Sequence, residues 1–299
     1  MTDSQTIQSA AVLGAGAMGA GIAQVAAQAG IRTRLFDIEE SFARGGMQRI
    51  EAMLEKGVAK GKMTAQRKDE VLALLEPVWD LEAAVDGVDL VIEAAPEKLG
   101  LKQDIFTRVA AVVDANAIIA TNTSSLSVTE LASVVSNPER FLGLHFFNPP
   151  PLMKLLEVVK GELTSEQTVA RALDLSERMG KSPIVVKDAP GFASSRLGVT
   201  LGLEAIRMVE EGVASAVDID TAMELGYRHP MGPLKLTDMI GLDVRLHISE
   251  YLAETLDDVR FKAPALMRKM VADGHLGRKS GRGFYDWTDG QPKPLTDER

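Results

Sequence analysis

The 299-residue chain contains no cysteine. That excludes disulfides, thiolate zinc sites and a cysteine nucleophile. Its four histidines are scattered, with no close pair at metal-ligand spacing, so no bound metal is expected. Basic residues are in deficit: 33 Lys and Arg against 42 Asp and Glu give a formal net charge of −9. This balance argues against general nucleic-acid binding, although a local basic patch can still hold a phosphorylated ligand. No apolar run approaches the length of a membrane span, and the opening residues MTDSQTIQSA carry no signal-peptide pattern. A cytoplasmic protein is therefore expected.

What is present is an ordinary globular composition, 45% hydrophobic and 25% charged, which supports a real core. The length predicts two domains. In the first half, short apolar runs alternate with amphipathic stretches. IQSAAVLG, IRTRLFD, VDLVIEA and AIIATN read as strands, followed by FLGLHFF, KLLEVV and SPIVVKD. Helical periodicity covers 18–29, 41–60 and 99–113. Strands alternating with helices predict a doubly wound, mainly parallel α/β sheet of the Rossmann kind. Strand signal stops after KDAPGF, and from about 193 to 273 the pattern is helical, with breaks at Gly212, at 229–233 (HPMGP) and at Ala263-Pro264. The expected division is a dinucleotide-binding domain over 1–188 and an all-helical domain over 189–299, with Pro190-Gly191 as punctuation.

Gly14, Gly16 and Gly19 fit G-x-G-x-x-G, a weak signal alone. Here it follows the strand AAVL and opens the small-residue helix MGAGIAQVAAQAG, which is the context the motif requires. Gly14 allows the tight turn, Gly16 lets the backbone approach a pyrophosphate, and Gly19 lets helix and strand pack closely. Helix N-terminal amides, with Met18 in the first turn, attract the phosphates. Asp37 ends the next strand, where an acid accepts hydrogen bonds from ribose hydroxyls and repels a 2′-phosphate; NAD is favoured over NADP. Beyond other strand ends lie Glu93, Glu97 and the run Asn122, Thr123, Ser124, Ser125. These suit ribose or carboxamide contacts, but Ser, Thr and Asn are equally common helix caps.

Residues 145–159, HFFNPPPLMKLLEVV, place His145 at the end of one apolar run and Glu157 inside another. A carboxylate flanked by leucines and valines is costly to bury unpaired. An imidazole is its natural partner, because the carboxylate fixes the tautomer and stabilises the imidazolium. The plainer reading is a core histidine beside a half-exposed strand glutamate.

With GAGAMGAGIAQ, Asp37, NTSSL, HFFNPPPLMKLLEVV, PGF, HPMGP and GRKSGRGFYDW in order, the chain resembles the L-3-hydroxyacyl-CoA dehydrogenase family from about residue 7 to residue 287. The short, single-function 3-hydroxybutyryl-CoA type is the nearest likeness. The resemblance implies an NAD-dependent oxidoreductase of fatty-acid metabolism and β-oxidation, forming a homodimer through its helical domain. It implies that His145 is the catalytic acid/base and Glu157 its orienting partner, with Ser124 touching the substrate hydroxyl and Asn148 near nicotinamide and substrate. Glu97, Lys102 and Lys279 match positions assigned to NAD, and Lys60 matches a CoA-binding lysine.

Two positions depart from the family pattern. PGFASSR carries Ser195 where the family often has Asn, and a shorter hydroxyl can reach the substrate there directly or through water. Met53 stands where a family serine can contact CoA.

Lys56 and Lys60 are one helical turn apart and can converge on the CoA nucleotide, with Lys62 close behind. The alternative is a solvated face in which Glu51 and Glu55 supply ion pairs. Arg44 and Arg49 read as surface charges. The basic stretch 277–283 (GRKSGRG) reads as a flexible segment able to close over a phosphate or ribose, or as a tail turn. Two rivals stay open: a dehydrogenase of a non-CoA hydroxy acid on the same scaffold, and a non-catalytic NAD-binding protein.

Overall fold

Residues 6–295 are described in a computed structural model. Its first compact unit spans Met1–Ala189 and its second Pro190–Arg299. In the first unit the chain runs β1 (Ser9–Leu13), α1 (Ala17–Gln28), β2 (Arg32–Phe36), α2 (Glu40–Ala59) and α3 (Ala65–Leu72). It continues through β3 (Leu75–Val78), α4 (Leu81–Val85), β4 (Leu90–Glu93), α5 (Leu99–Ala110) and β5 (Ile118–Thr121). Last come α6 (Val128–Ala132), β6 (Phe141–Phe146), β7 (Leu155–Lys160), α7 (Glu166–Arg178) and β8 (Ser182–Lys187).

The eight strands form one sheet in the order β3-β2-β1-β4-β5-β6-β7-β8. Every neighbouring pair is parallel except β6–β7. The doubly wound α/β expectation therefore holds. Strand alternation splits the apolar residues between two faces. Val12, Ile92, Leu144, Phe146, Leu156 and Val158 join α1, α2 and α7 in one core cluster. On the opposite face, Phe141 meets Phe106 of α5 edge to face at 4.8 Å.

The sequence pattern missed β3. Its four residues, LEPV, include Pro77, which cannot donate to a ladder and so reads as a breaker. At the sheet edge only one side needs pairing, so the proline is tolerated. The short helices α3, α4 and α6 were also not anticipated, being too brief for a periodic signal. Their starts are set by the side chains of Thr64, Asp80 and Ser127, each accepting from a first-turn amide.

The second unit is helical: α8 (Ser194–Glu210), α9 (Ala216–Thr221), α10 (Pro233–Ile240), α11 (Leu242–Thr255) and α12 (Ala265–Ala272). Leu203, Ile206, Leu234, Leu252, Met267 and Trp287 lie in its core. One break escaped the sequence reading. Gly241, at φ 108°, separates α10 from α11 in a conformation that disfavours any side chain.

Two buried carboxylates organise this unit. Asp220 accepts from the amides of Leu234 and Lys235 at 2.8 and 2.9 Å and from the Tyr285 hydroxyl at 2.8 Å. Asp238 accepts from the amides of Phe284 and Tyr285 and from the Trp287 indole, at 2.8–3.0 Å. A Cβ on Gly283 would lie 2.0 Å from Asp238 Oδ1, so the stretch 277–283 is pinned to the core rather than loose. That favours the tail-turn reading over the flexible closing segment.

Candidate active site

Ligands of such a sheet bind beyond the carboxyl ends of its strands. After β1, Gly14 turns at φ 105°, and a Cβ there would strike Ala94 O at 2.7 Å. A Cβ on Gly19 would fall 1.7 Å from Gly14 O, so α1 can lie this close to the turn only without a side chain. A Cβ on Gly16 would meet nothing within 4 Å. The exposed Gly16 is the N-cap of α1, and no side chain caps that helix. Open space at Gly16 beside uncapped amides fits a dinucleotide pyrophosphate. Met18, in the first turn, packs partly buried against the core.

Asp37 follows β2 and is half-buried. Its Oδ2 accepts from the Ala15 amide at 2.8 Å and its Oδ1 from the Ile38 amide at 2.8 Å. Besides suiting a ribose, this carboxylate anchors the glycine turn. Arg49, read as a surface charge, donates to Ala15 O at 3.0 Å and holds the same turn from α2. Arg44 is a surface residue paired with Glu40.

Beyond β4 and β5 the polar residues form a buried framework. Lys102 is 1% exposed, and its ammonium contacts both oxygens of Glu93 at 2.7 and 3.0 Å and Glu97 at 3.1 Å. Thr121 donates to Glu93 at 2.7 Å. Glu97 accepts from the Thr123 hydroxyl at 2.5 Å and the Ser124 amide at 3.0 Å. Burial alone would raise the Glu97 carboxyl, but the Lys102 charge and these hydrogen bonds hold it below its ordinary value. With its contacts committed to Glu93 and Glu97, Lys102 supports the loop that carries Ser124. A direct cofactor contact, as expected from its position, would require breaking this network.

Capping does not explain Ser124. The cap of α6 is Ser127, while Thr123 folds back to accept from Leu126 at 2.9 Å. Asn122 accepts from the Phe146 amide at 2.9 Å and so ties this loop to the end of β6.

His145 and Glu157 are direct partners in the antiparallel β6–β7 register. Opposed residues project to the same face, which brings the side chains together. His145 Nδ1 lies 2.7 Å from Glu157 Oε2, with the residues 7% and 0% exposed. The twelve-residue separation is thus the span of one antiparallel connection. That connection contains the exposed Asn148 and a cis Asn148-Pro149 bond. Lys181, buried beside β8, donates to Met153 O at 2.8 Å, and its amine is lowered by burial.

Between α1, α2 and this connection lies a cavity of about 320 Å³. Gly21, Gln24, Arg49, Met53, Lys56 and Asn148 are among its walls. A Cβ on Gly21 would meet Pro150 at 2.7 Å, so the glycine lets α1 approach the proline turn. Met53 contributes a thioether to the wall.

Lys60 is the exposed C-cap of α2, beyond the cavity lining. Glu55 pairs with Lys68 at 3.6 Å rather than with Lys56 or Lys60. Among the described residues, Lys56, Lys60 and Lys62 have no ion pair, and Glu55 pairs elsewhere, which disfavours the alternative of an ion-paired face. Sequence reasoning missed the role of Arg49 at the glycine turn, because it stands in no recognisable motif.

Within the helical unit, Ser195 is half-buried in the first turn of α8. The N-cap is Ala193, so Ser195 is not the cap. Lys279 pairs with Asp243 at 2.6 Å.

Residues 9–189 match the 3-hydroxyacyl-CoA dehydrogenase, NAD binding domain, and residues 191–287 match the 3-hydroxyacyl-CoA dehydrogenase, C-terminal domain. A probable 3-hydroxybutyryl-CoA dehydrogenase of Bacillus subtilis is 44% identical over 278 residues, covering 93% of this chain and 96% of the relative. One from Deinococcus radiodurans is 45% identical over 276 residues, covering 92% and 99%. The crystal structure of the (S)-3-hydroxybutyryl-CoA dehydrogenase from Ralstonia eutropha superposes with a TM-score of 0.91 at 42% identity, over 94% of this chain and 99% of that one. With both domains matched and relatives this similar along nearly their whole length, the chain belongs to the 3-hydroxyacyl-CoA dehydrogenase family and is an NAD-dependent oxidoreductase.

Proposed function

We propose that the enzyme interconverts (S)-3-hydroxybutyryl-CoA and acetoacetyl-CoA, with His145 as acid/base and Glu157 as its positioning residue. The observation that carries this reading is the 2.7 Å contact between His145 Nδ1 and Glu157 Oε2 near the carboxyl end of β6. With Nδ1–H committed to the carboxylate, the lone pair of the neutral ring resides on Nε2. That atom takes the 3-hydroxyl proton in oxidation and returns it in reduction. Glu157 offsets the positive charge the ring acquires. Bound at the glycine turn, NAD supplies the two-electron partner that accepts or returns hydride at substrate C3.

Gly14, Gly16, Met18, Gly19 and Asp37 would hold the dinucleotide, and Glu97 with Lys102 would fix the loop beside it. Ser124 and Asn148 orient the reacting oxygen, with Ser195 as a further substrate contact. Lys56 and Lys60 attract the acidic CoA nucleotide, and Lys279 belongs to the cofactor set by its family position.

A cytoplasmic homodimer is part of the same proposal. Leu225, Tyr227 and Val259 of the helical unit are 78%, 76% and 69% exposed, large apolar side chains that a second copy could cover. Light scattering of the purified chain tests the dimer. Reduction of 3-oxoacyl-CoA esters of increasing chain length, with NADH and NADPH compared, tests the activity. The expected result is NADH-dependent turnover with the four-carbon ester among the substrates. Absence of turnover on all esters would reject the reading.

A further inference from the structure

The connection between the two dyad strands is short of backbone donors. Pro149, Pro150 and Pro151 follow Asn148 in succession, and none of the three has an amide N–H. Such a segment can be held only through its carbonyls or by packing. Pro149 O accepts from the amides of Leu152 and Met153 at 3.0 and 3.1 Å, which closes the turn on itself. The ammonium of Lys181 donates to Pro150 O and, at 2.8 Å, to Met153 O, which ties the turn to the start of β8.

Lys181 is 8% exposed and makes no ion pair among the described residues. A buried ammonium costs more hydration than an apolar side chain of the same bulk, so packing alone does not account for it. Its backbone is firmly based. The Lys181 amide donates to Ser176 O in the last turn of α7 at 2.9 Å, and the Ser182 amide donates to Lys154 O at 2.8 Å. The clamp thus reaches from a fixed point to the turn that follows Asn148. Among the described residues no side-chain hydrogen bond holds the exposed Asn148, so its aim depends on the backbone beneath it. We infer that Lys181 is a positioning residue for the reaction: by clamping the carbonyls of Pro150 and Met153, it fixes the turn that aims Asn148 at the reacting oxygen. This rests on the role of Asn148 in the function proposed above. Lys181 acts through Asn148 rather than by contact with the substrate.

The test is a double-mutant cycle in the full-length enzyme, with acetoacetyl-CoA and NADH as substrates. It compares Lys181→Met, Asn148→Ala and the two combined, each well below its Tm. Methionine keeps the bulk of the lysine stem and removes the donors. Lys181→Met is expected to lower kcat about tenfold, the size of one lost orienting hydrogen bond, with the KM for NADH within about twofold. In the Asn148→Ala background the same replacement should change kcat by less than about twofold, because residues acting through one contact are not additive. If Lys181→Met does not fold, Lys181→Gln takes its place in the cycle.

Wild-type kcat in the Lys181 variant would overturn the assignment and leave the proposed function standing. Equal fractional losses in the wild-type and Asn148→Ala backgrounds would also overturn it, marking Lys181 as a support of the fold that acts independently of Asn148. Normal kcat in Asn148→Ala would remove Asn148 from the mechanism, and the inference with it. Absence of wild-type turnover with acetoacetyl-CoA would instead remove the acyl-CoA reading itself.

Discussion

Asp37 Oδ2 accepts a hydrogen bond from the Ala15 amide at 2.8 Å, joining the end of β2 to the glycine turn after β1. The same carboxylate that would repel a 2′-phosphate therefore also shapes the pyrophosphate site. Asp37→Ala should narrow the preference for NADH over NADPH and also raise the KM for NADH. Loss of the turn contact should cost about 1–2 kcal/mol of stability. Paired kcat/KM values for the two cofactors and a urea titration check both effects. Equal use of NADH and NADPH by the wild type would contradict this role.

Lys102 separates scaffold from contact. Removing it leaves Glu93, 0% exposed, without its cation, a defect that typically costs about 3–5 kcal/mol. Lys102→Met should therefore unfold at markedly lower temperature and denaturant. A variant as stable as wild type but with a much higher KM for NADH would instead make Lys102 a direct cofactor contact.

The two lysines of α2 differ in place. Lys56 lines the cavity and Lys60 stands outside it at the helix end. Each Ala replacement should raise the KM for acetoacetyl-CoA at low ionic strength with a smaller change in kcat. The Lys60 effect should shrink more with added salt, because a solvent-exposed charge is better screened. Kinetics across a salt series reads this out, and an unchanged KM at low salt would return Lys60 to the solvated surface.

Asp238 gives the helical unit a pH signature. Burial pushes its carboxyl up from 3.8 to about 6, against the hydrogen bonds from Trp287, Phe284 and Tyr285 that favour the anion. Between those values the folded chain retains a proton that the unfolded chain has released. The Asp238 contribution to stability is thus greatest at low pH, falls as pH rises from about 4 to 6, and is flat above. The change is about 3 kcal/mol from two pKa units. Asp238→Asn should be less stable, having replaced an acceptor by an N–H₂ group among N–H donors, and should lack this component. Urea unfolding of both proteins from pH 4 to 7 tests it; parallel profiles would show that Asp238 titrates normally.

Much of this architecture is readable from local pattern. Seven strands announced themselves as apolar runs, and the helix expected over 41–60 is found at Glu40–Ala59. The glycine motif, Asp37 and the His145–Glu157 pair were legible because their spacing reflects one turn or one strand connection. What escaped depends on residues distant in sequence. Pro77 disguised an edge strand, and Lys102 is understood only once Glu93 and Glu97 surround it. Ser124 looked like a cap until the nearby Ser127 was seen to fill that place.

The central claim is that Glu157 makes His145 an effective acid/base. Glu157→Gln keeps the shape and removes the charge facing His145 Nδ1 at 2.7 Å. The decisive measurement is kcat for NADH-dependent reduction of acetoacetyl-CoA by this variant, with NADH affinity measured alongside. A fall in kcat of about two to four orders of magnitude at near-unchanged NADH affinity is predicted. A variant turning over at close to the wild-type rate would contradict the account.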